Sequence, residues 1–392
     1  MIKRLRFINY RSHADSEVYL EPLTVLIGPV AGGKSNVFKG MLLIQNSVHR
    51  SPEELFPPGL GEFHWVRSRW AGETDPVGFE VDLEKLPNDH HARYTLKLAD
   101  SPAGIYVLEE TLQRQIAGEP WEWVFQRRSR PHSMGEFGDV DPYGPTTLNQ
   151  VWHRDPRVRQ TAAGPLFARD VAEVLSRFGY FHLEASELKS LGTGQSWERI
   201  GYNGDRLPDF IAWAKGEPGA KVYESILMQM RELLPELEDI LVTQVQPDRQ
   251  GLAMSFSGYR GYIAAPDLSD GTMFTLGMLC IAASPRRPAV LCIEEPETGL
   301  HPRRLRWLFD RFMELAYPPE GQPRTQMILS THSPYLVDFF KDMLDAVKVV
   351  EQKEGRSRIM SLTEIQKEKL RYEPETGESI GHLWASGLYE GF

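Results

Sequence analysis

Apolar and polar positions along this chain recur with two periods, and the changes of period mark its elements. From Ile2 to Phe7 apolar and basic residues alternate, as in a strand with one buried face. Asn9-Tyr10-Arg11-Ser12-His13 reads as a turn, and Ser16 to Leu20 as a second strand. Leu23-Thr24-Val25-Leu26-Ile27 is a continuous apolar, β-branched run, as expected of a fully buried strand. Val37, Met41 and Ile44 then recur at helical spacing and predict a helix over Asn36 to Gln45. Ser51 to Gly78 is rich in Pro, Gly and Trp and predicts irregular surface structure. Phe79–Leu83, Tyr94–Leu98, Tyr106–Leu112 and Trp121–Phe125 alternate again, which predicts an antiparallel sheet.

Beyond a polar, Gly- and Pro-containing stretch from Arg127 to Thr147, expected to be a mobile loop, the period returns to that of helices. Val171, Val174, Leu175 and Phe178 share one face of a helix over Ala168 to Phe178, and a second helix covers Val222 to Leu234. Phe181 to Gly204 carries few periodic signals. Ile240–Val245 and Leu252–Phe256 read as strands, and Leu268 opens a helix running to about Ala283 with Ser269 as its N-cap. Two short apolar strands follow, Ala289–Ile293 and Met327–Ser330. Phe339–Ala346 reads as a helix, and Val347–Val350 with Arg358–Met360 as a closing hairpin. No internal repeat or sustained heptad pattern occurs, which excludes a long coiled coil.

Composition narrows the class. The chain has 392 residues, 41% hydrophobic and 25% charged, so it can build a large core without disulfide or metal staples. Cys280 and Cys292 both lie in apolar segments and read as small core residues. No signal peptide or spanning segment is evident, which predicts a cytoplasmic protein. With 44 basic against 54 acidic residues the formal charge is −10, so DNA contact would need a local basic patch. Arg127-Arg128-Ser129-Arg130, Arg154 to Arg159, and Arg303-Arg304 with Arg306 are the candidate clusters, although most such clusters are ordinary solvated faces.

The chemistry starts at Gly28-Pro29-Val30-Ala31-Gly32-Gly33-Lys34-Ser35, which fits the phosphate-loop pattern G-x-x-x-x-G-K-[ST] and lies between a strand and a helix. Glycines let backbone N–H groups converge on phosphate oxygens, and the helix N-terminus adds partial positive charge. In that geometry Lys34 reaches the β- and γ-phosphates, the Ser35 hydroxyl ligates Mg²⁺, and Asn36 follows at the start of the helix. The strand Ala289–Ile293 ends in Glu294-Glu295, and Met327–Ser330 ends in Thr331-His332-Ser333. Carboxylates at the carboxyl ends of parallel strands sit where an α/β sheet binds its ligand.

These segments together resemble the ABC-type ATPases, in the branch containing SMC, RecF and the OLD (overcoming lysogenization defect) proteins. Asn9-Tyr10-Arg11-Ser12 resembles that branch's "NFRS" turn, and Leu268 to Thr272 its "LSGGQ" signature. Glu294 to Pro302 resembles the Walker B and D-loop segment, and Ser330 to Pro334 the switch histidine. Val30 and Ala31 stand where the branch usually has Asn and Gly; Glu294 replaces an aspartate, Asp270 a glycine and Thr272 a glutamine. Gln126 and Gln113 are the candidates for the Q-loop glutamine.

The resemblance implies an α/β ABC-type P-loop ATPase head with an N-terminal antiparallel β subdomain and a helical signature subdomain. It would be a single head over 1–392 built from both chain ends, with a middle region 51–255 and a motif-bearing portion 256–392. It implies two subunits paired head to tail around two ATP molecules. Glu294 would hold the metal with Ser35, Glu295 would be the base, and His332 would contact the γ-phosphate. Ser269 and Gly271 would cap the phosphate from the opposite subunit, Arg11 would add charge near the nucleotide, and Glu297 and His301 would belong to the dimer contact. The function implied is an ATP-dependent switch in DNA maintenance or phage defence, with DNA as a candidate partner. The alternatives are the nucleotide-binding subunit of a membrane transporter and an inactive scaffold. More than two hundred residues between Lys34 and Leu268, and the Glu297-x-x-Leu300-His301-Pro302 segment, argue against a transporter.

OLD-type relatives carry a nuclease domain after the ATPase, whereas roughly 60 residues follow His332 here. Asp139-Val140-Asp141, Glu187-Leu188-Lys189 and the tail acids Glu373, Glu375 and Glu378 make no convincing nuclease site. A separate effector protein, docked on the middle region or the tail, is therefore expected.

Overall fold

β1 (Ile2–Tyr10) buries Ile2, Leu5, Phe7 and Tyr10 and turns Arg4 and Arg6 to the other face. The three-residue step from Ile2 to Leu5 falls at a register shift against a neighbouring strand. The computed structural model describes residues 1–56, 62–116, 118–129, 143–153, 164–195, 197–367 and 379–389. Arg130, Asp139-Val140-Asp141, Arg154 to Arg159 and the tail acids Glu373, Glu375 and Glu378 lie outside them. The chain divides into two compact units, 1–178 with 340–392, and 179–339.

In the first unit β1 pairs antiparallel with β2 (His13–Tyr19). β3 (Leu23–Ile27) is buried throughout, and the helix α1 (Lys34–His49) follows the glycine loop. The antiparallel sheet continues through β4 (Val77–Leu86), β5 (His90–Ser101), β6 (Gly104–Ile116) and β7 (Glu122–Arg128), in the order β2-β1-β4-β5-β6-β7. Its polar face is an ion-pair ladder. Arg4 meets Glu17, Glu80 and Asp82 at 2.9–3.0 Å; Arg93 meets Asp82 at 2.8 Å; Lys97 and Arg128 both meet Glu109, at 2.7 and 3.3 Å. Burial would raise the Asp82 carboxyl, but Arg93 and Arg4 overcome it and hold it below the usual range. Helices Thr147–Trp152 and Gly164–Ser176 complete this part. The buried Glu110 carboxylate accepts from Tyr94 Oη (3.1 Å) and from the Thr147 and Leu148 N–H groups (2.5 and 3.1 Å), tying the first of these helices to the sheet.

The second unit contains β8 (Phe178–Phe181), helices Leu207–Lys215 and Ala220–Leu233, and an antiparallel sheet of β9 (Leu237–Gln246), β10 (Arg249–Phe256) and β11 (Ile263–Ala264). The signature helix Asp270–Ala283 is buried from Gly271 through Ile281. β12 (Val290–Glu294) runs parallel to β13 (Gln326–Ser330), with Glu294 opposite Ser330, and β8 lies on the other side of β12. Between β12 and β13 is the helix Pro302–Ala316. The helix expected over Phe339–Ala346 is instead a short one at Pro334–Asp338, because Ser333 caps it and Pro334 starts it; only a 3-10 turn remains at Leu344–Ala346.

The chain then returns to the first unit. β14 (Val347–Lys353) pairs parallel with β3 and antiparallel with β15 (Arg356–Ser361), which are the two strands of the expected hairpin.

Candidate functional site: a phosphate loop and a carboxylate–histidine strand pair

In the first unit the loop leaves β3 at Gly28 (φ 135°) and enters α1 at Gly33 (φ 113°). Both conformations suit glycine, and packing demands it as well. A Cβ on Gly28 would lie 2.1 Å from the Val350 carbonyl oxygen, and one on Gly33 2.3 Å from Ser357 Oγ. The helix start has no side-chain cap and no acid in its first turn. Its N–H groups therefore present an uncompensated positive end, which suits an anion. Lys34 is buried, and its Nζ donates to the Gly28 and Pro29 carbonyls at 2.8 and 2.9 Å. Pro29, Val30 and Ala31 form the exposed crest. Ala31, in place of the family's glycine, keeps a left-handed backbone at φ 63°.

The loop is strapped from both chain ends. Ser357 Oγ donates to the Gly32 carbonyl at 2.8 Å and reaches Ser12 Oγ at 2.7 Å; Asn36 Nδ2 also donates to Ser12 Oγ, at 2.9 Å. Gln352 Nε2 donates to the Ala31 carbonyl at 2.7 Å. His13 is buried with its pKa lowered to about 4, chiefly by desolvation. Its Nε2 lies 3.2 Å from the Gly33 carbonyl, which can only accept, so the proton belongs on Nε2 and Nδ1 accepts from Ser16 Oγ at 2.7 Å.

Arg11, at φ 51° in the N-terminal turn, borders a cavity of about 540 Å³ that Ser12, Trp65, Arg67, Trp70 and Gln352 also line. The alternation of aromatic and basic residues in His64-Trp65-Val66-Arg67-Ser68-Arg69-Trp70 was the available signal for this pocket. It lies inside a segment that had read only as irregular surface.

In the second unit β12 and β13 bring Glu294, Glu295, Thr331 and His332 to their carboxyl ends. Glu295 is exposed, its backbone left-handed at φ 47° and its N–H bonded to the Ser330 carbonyl at 2.9 Å. Glu294 Oε1 is buried without a hydrogen-bond partner among the described residues, as a cation-binding oxygen would be. Glu297, expected at a dimer contact, accepts through its Oε1 from Thr331 Oγ1 at 2.6 Å and from the His332 N–H at 3.0 Å within the chain. Burial raises its carboxyl pKa against those bonds. Its position in the turn after β12 makes it a brace for the histidine segment. His301 is the exposed N-cap of Pro302–Ala316.

Ser269 caps the signature helix, its Oγ accepting from the Thr272 N–H at 3.2 Å. Gly271 is buried against the turn after β12, where a Cβ would meet the Gly299 carbonyl oxygen at 2.5 Å. Asp270, in place of a glycine, pairs with Lys189 at 2.6 Å.

Two expectations change. Gln113 and Gln126 lie on β6 and β7 rather than in a loop. Most of the described basic residues have partners within the chain: Arg127 is buried and donates to the Pro145 carbonyl, Arg128 pairs with Glu109, Arg304 reaches Thr272 Oγ1 at 3.4 Å and Arg306 pairs with Asp310, whereas Arg303 is exposed.

A glycine loop between a buried strand and an uncapped helix, with an acid pair and a histidine on adjacent parallel strands, defines an ABC-type P-loop ATPase head of the SMC/OLD-like branch. The chain belongs to the family described as "AAA domain, putative AbiEii toxin, Type IV TA system", whose model matches residues 23–144 and 191–338. It is 21% identical over 384 residues to the OLD nuclease of Thermus scotoductus; the match takes in 90% of this chain but only 62% of that protein's length. A solved SMC head bound to the C-winged helix domain of ScpA shares the fold at a TM-score of 0.51 and 12% identity, over 92% of this chain and 97% of that one. The SMC head domain from Thermotoga maritima aligns over 92% of this chain and 98% of its own, with 14% identity and a TM-score of 0.45. Among the described residues no helix is long and apolar enough to cross a membrane.

Proposed function

We propose that this chain binds and hydrolyses ATP as a molecular switch that closes head to tail with a second copy. The observation that carries the reading is the phosphate loop: a helix start without a side-chain cap, with a buried lysine beside it whose Nζ donates to carbonyls of the loop itself. Lys34 exchanges those carbonyls for phosphate oxygens, and the first N–H groups of α1 take the rest of the charge. The neighbouring cavity takes the base, with Trp65 offering a ring face and Arg11 a positive charge.

Ser35 and Glu294 would hold Mg²⁺, and the orphaned Glu294 Oε1 suits that task. When bound, the ion would offset negative charge on the β- and γ-phosphates. Glu295 orients water and takes its proton, and His332, braced by Glu297, steadies the transferred group through a hydrogen bond. Ser269 and Gly271 supply a helix N-terminus to the nucleotide of the second copy. The family's description names a putative toxin of a type IV TA system and the OLD relative is named a nuclease; on the motif resemblance we place the switch in phage defence or DNA maintenance. The ScpA-bound SMC head favours a separate protein as the readout. DNA contact carries less weight, because most of the described basic residues already pair within the chain.

The test is a paired measurement of ATP binding and turnover. Lys34→Ala should lose nucleotide binding. Glu295→Gln should keep binding and lose about two orders of magnitude in turnover or more. Wild-type turnover in Glu295→Gln would show that another group is the base.

A further inference from the structure

No sequence motif pointed to His182, yet it stands against the carboxylate at the end of β12. It follows β8, the strand beside β12, and its Nδ1 lies 3.2 Å from Glu294 Oε2. The backbone that carries the imidazole is pinned: the His182 N–H bonds the Tyr202 carbonyl at 3.0 Å, and the next-but-one N–H, of Glu184, bonds the Asn203 carbonyl at 2.9 Å. Tyr180, on β8, and Tyr202 lie beside the pair with ring centroids 4.8 Å apart and planes tilted by 52°, and the Tyr180 hydroxyl interacts with the Glu294 carboxylate.

The ordinary reading is an imidazolium–carboxylate ion pair. Such a pair aligns the N–H with the oxygen, and here that alignment is missing. His182 Nδ1 and Glu294 Oε1 are both buried atoms without a hydrogen-bond partner among the described residues. The 3.2 Å separation of Nδ1 and Oε2 fits a different arrangement. Two donors about 2.1 Å from one octahedral ion, at right angles, lie about 3.0 Å apart.

We propose that His182 and Glu294 together ligate the nucleotide's divalent cation, and that the imidazole makes this site favour a first-row transition ion over Mg²⁺. Imidazole nitrogen suits such ions, whereas Mg²⁺ strongly prefers oxygen donors. The described residues hold no cluster of three or more His, Cys, Asp or Glu ligands, so phosphate oxygens and water take the remaining positions. The proposal rests on the ATPase reading, in which the cation of ATP sits at Glu294.

The experiment uses the full chain with a non-hydrolysable ATP analogue and Mn²⁺ as the probe. Pulsed EPR should show ¹⁴N coupling from a coordinated imidazole in the wild type, and none in His182→Gln or His182→Leu. The excess of Mg²⁺ needed to displace bound Mn²⁺ should fall about tenfold or more in both variants. Analogue binding is measured separately by calorimetry, and the fold of each variant by its melt. Analogue bound with Mn²⁺ but no ¹⁴N coupling in the wild type overturns the proposal alone, even if a variant fails to fold. Coupling that persists in His182→Gln also overturns it, since another histidine is then the ligand. Failure of the wild type to bind the analogue overturns the proposal and the ATPase reading together.

Discussion

At the scale of single residues, the phosphate loop carries strain at one position and a pH dependence at another. Ala31 holds a left-handed backbone where relatives use glycine, at a cost of roughly 1 kcal/mol. Ala31→Gly should therefore raise stability by at most about 0.5 kcal/mol, once the roughly 0.4–1 kcal/mol of entropy that glycine adds to the unfolded chain is deducted. Urea melts at neutral pH check this, and a clear loss of stability would contradict it. His13 bears on acid stability. Its folded pKa is depressed from the ordinary 6.5 to about 4, so the unfolded chain takes up this proton first as pH falls. The contribution is whole above pH 6.5 and drains as pH falls towards 4, by an amount of the order of 3 kcal/mol. Melts of wild type and His13→Gln across that range should converge towards the acid end. A constant gap between them would show that His13 is not the group responsible.

At the scale of elements, the strands and the loop were legible because their signals are local. A β-branched run, a glycine pattern and alternation are each complete within about ten residues. The helix Pro302–Ala316 was missed although Leu305, Leu308, Phe309 and Phe312 lie at helical spacing; its arginines drew the reading towards a charge cluster. The supporting contacts were illegible for a different reason. Ser357 on Gly32, Gln352 on Ala31 and His182 beside Glu294 join residues far apart in sequence, and no period encodes them. Glu297 is intermediate: the motif marked it, but only the fold shows that it holds Thr331 and His332. Glu297→Gln keeps an acceptor for both donors and sheds a charge that burial disfavours, so stability should hold or rise at neutral pH. Glu297→Ala should cost about 1–3 kcal/mol and, by loosening His332, about 10- to 100-fold in turnover. Equal turnover in the two variants would remove Glu297 from the site.

At the scale of the whole molecule, the family model matches residues 23–144 and 191–338, and a single head built from both chain ends is what we propose. The proposed head-to-tail pairing makes a distinct demand on Ser269. An arginine there should block closure on ATP while each monomer still binds nucleotide. The lost cap alone costs only about 1 kcal/mol, so Ser269→Ala serves as the control for folding. Closure unimpaired in Ser269→Arg would refute the sandwich arrangement.

The measurement that bears most directly on the switch is the solution mass of Glu295→Gln protein by light scattering, with and without ATP and divalent cation. The account predicts that mass doubles on adding ATP and that introducing Lys34→Ala as well abolishes the doubling. Saturating ATP binding with the mass still that of a monomer would contradict it.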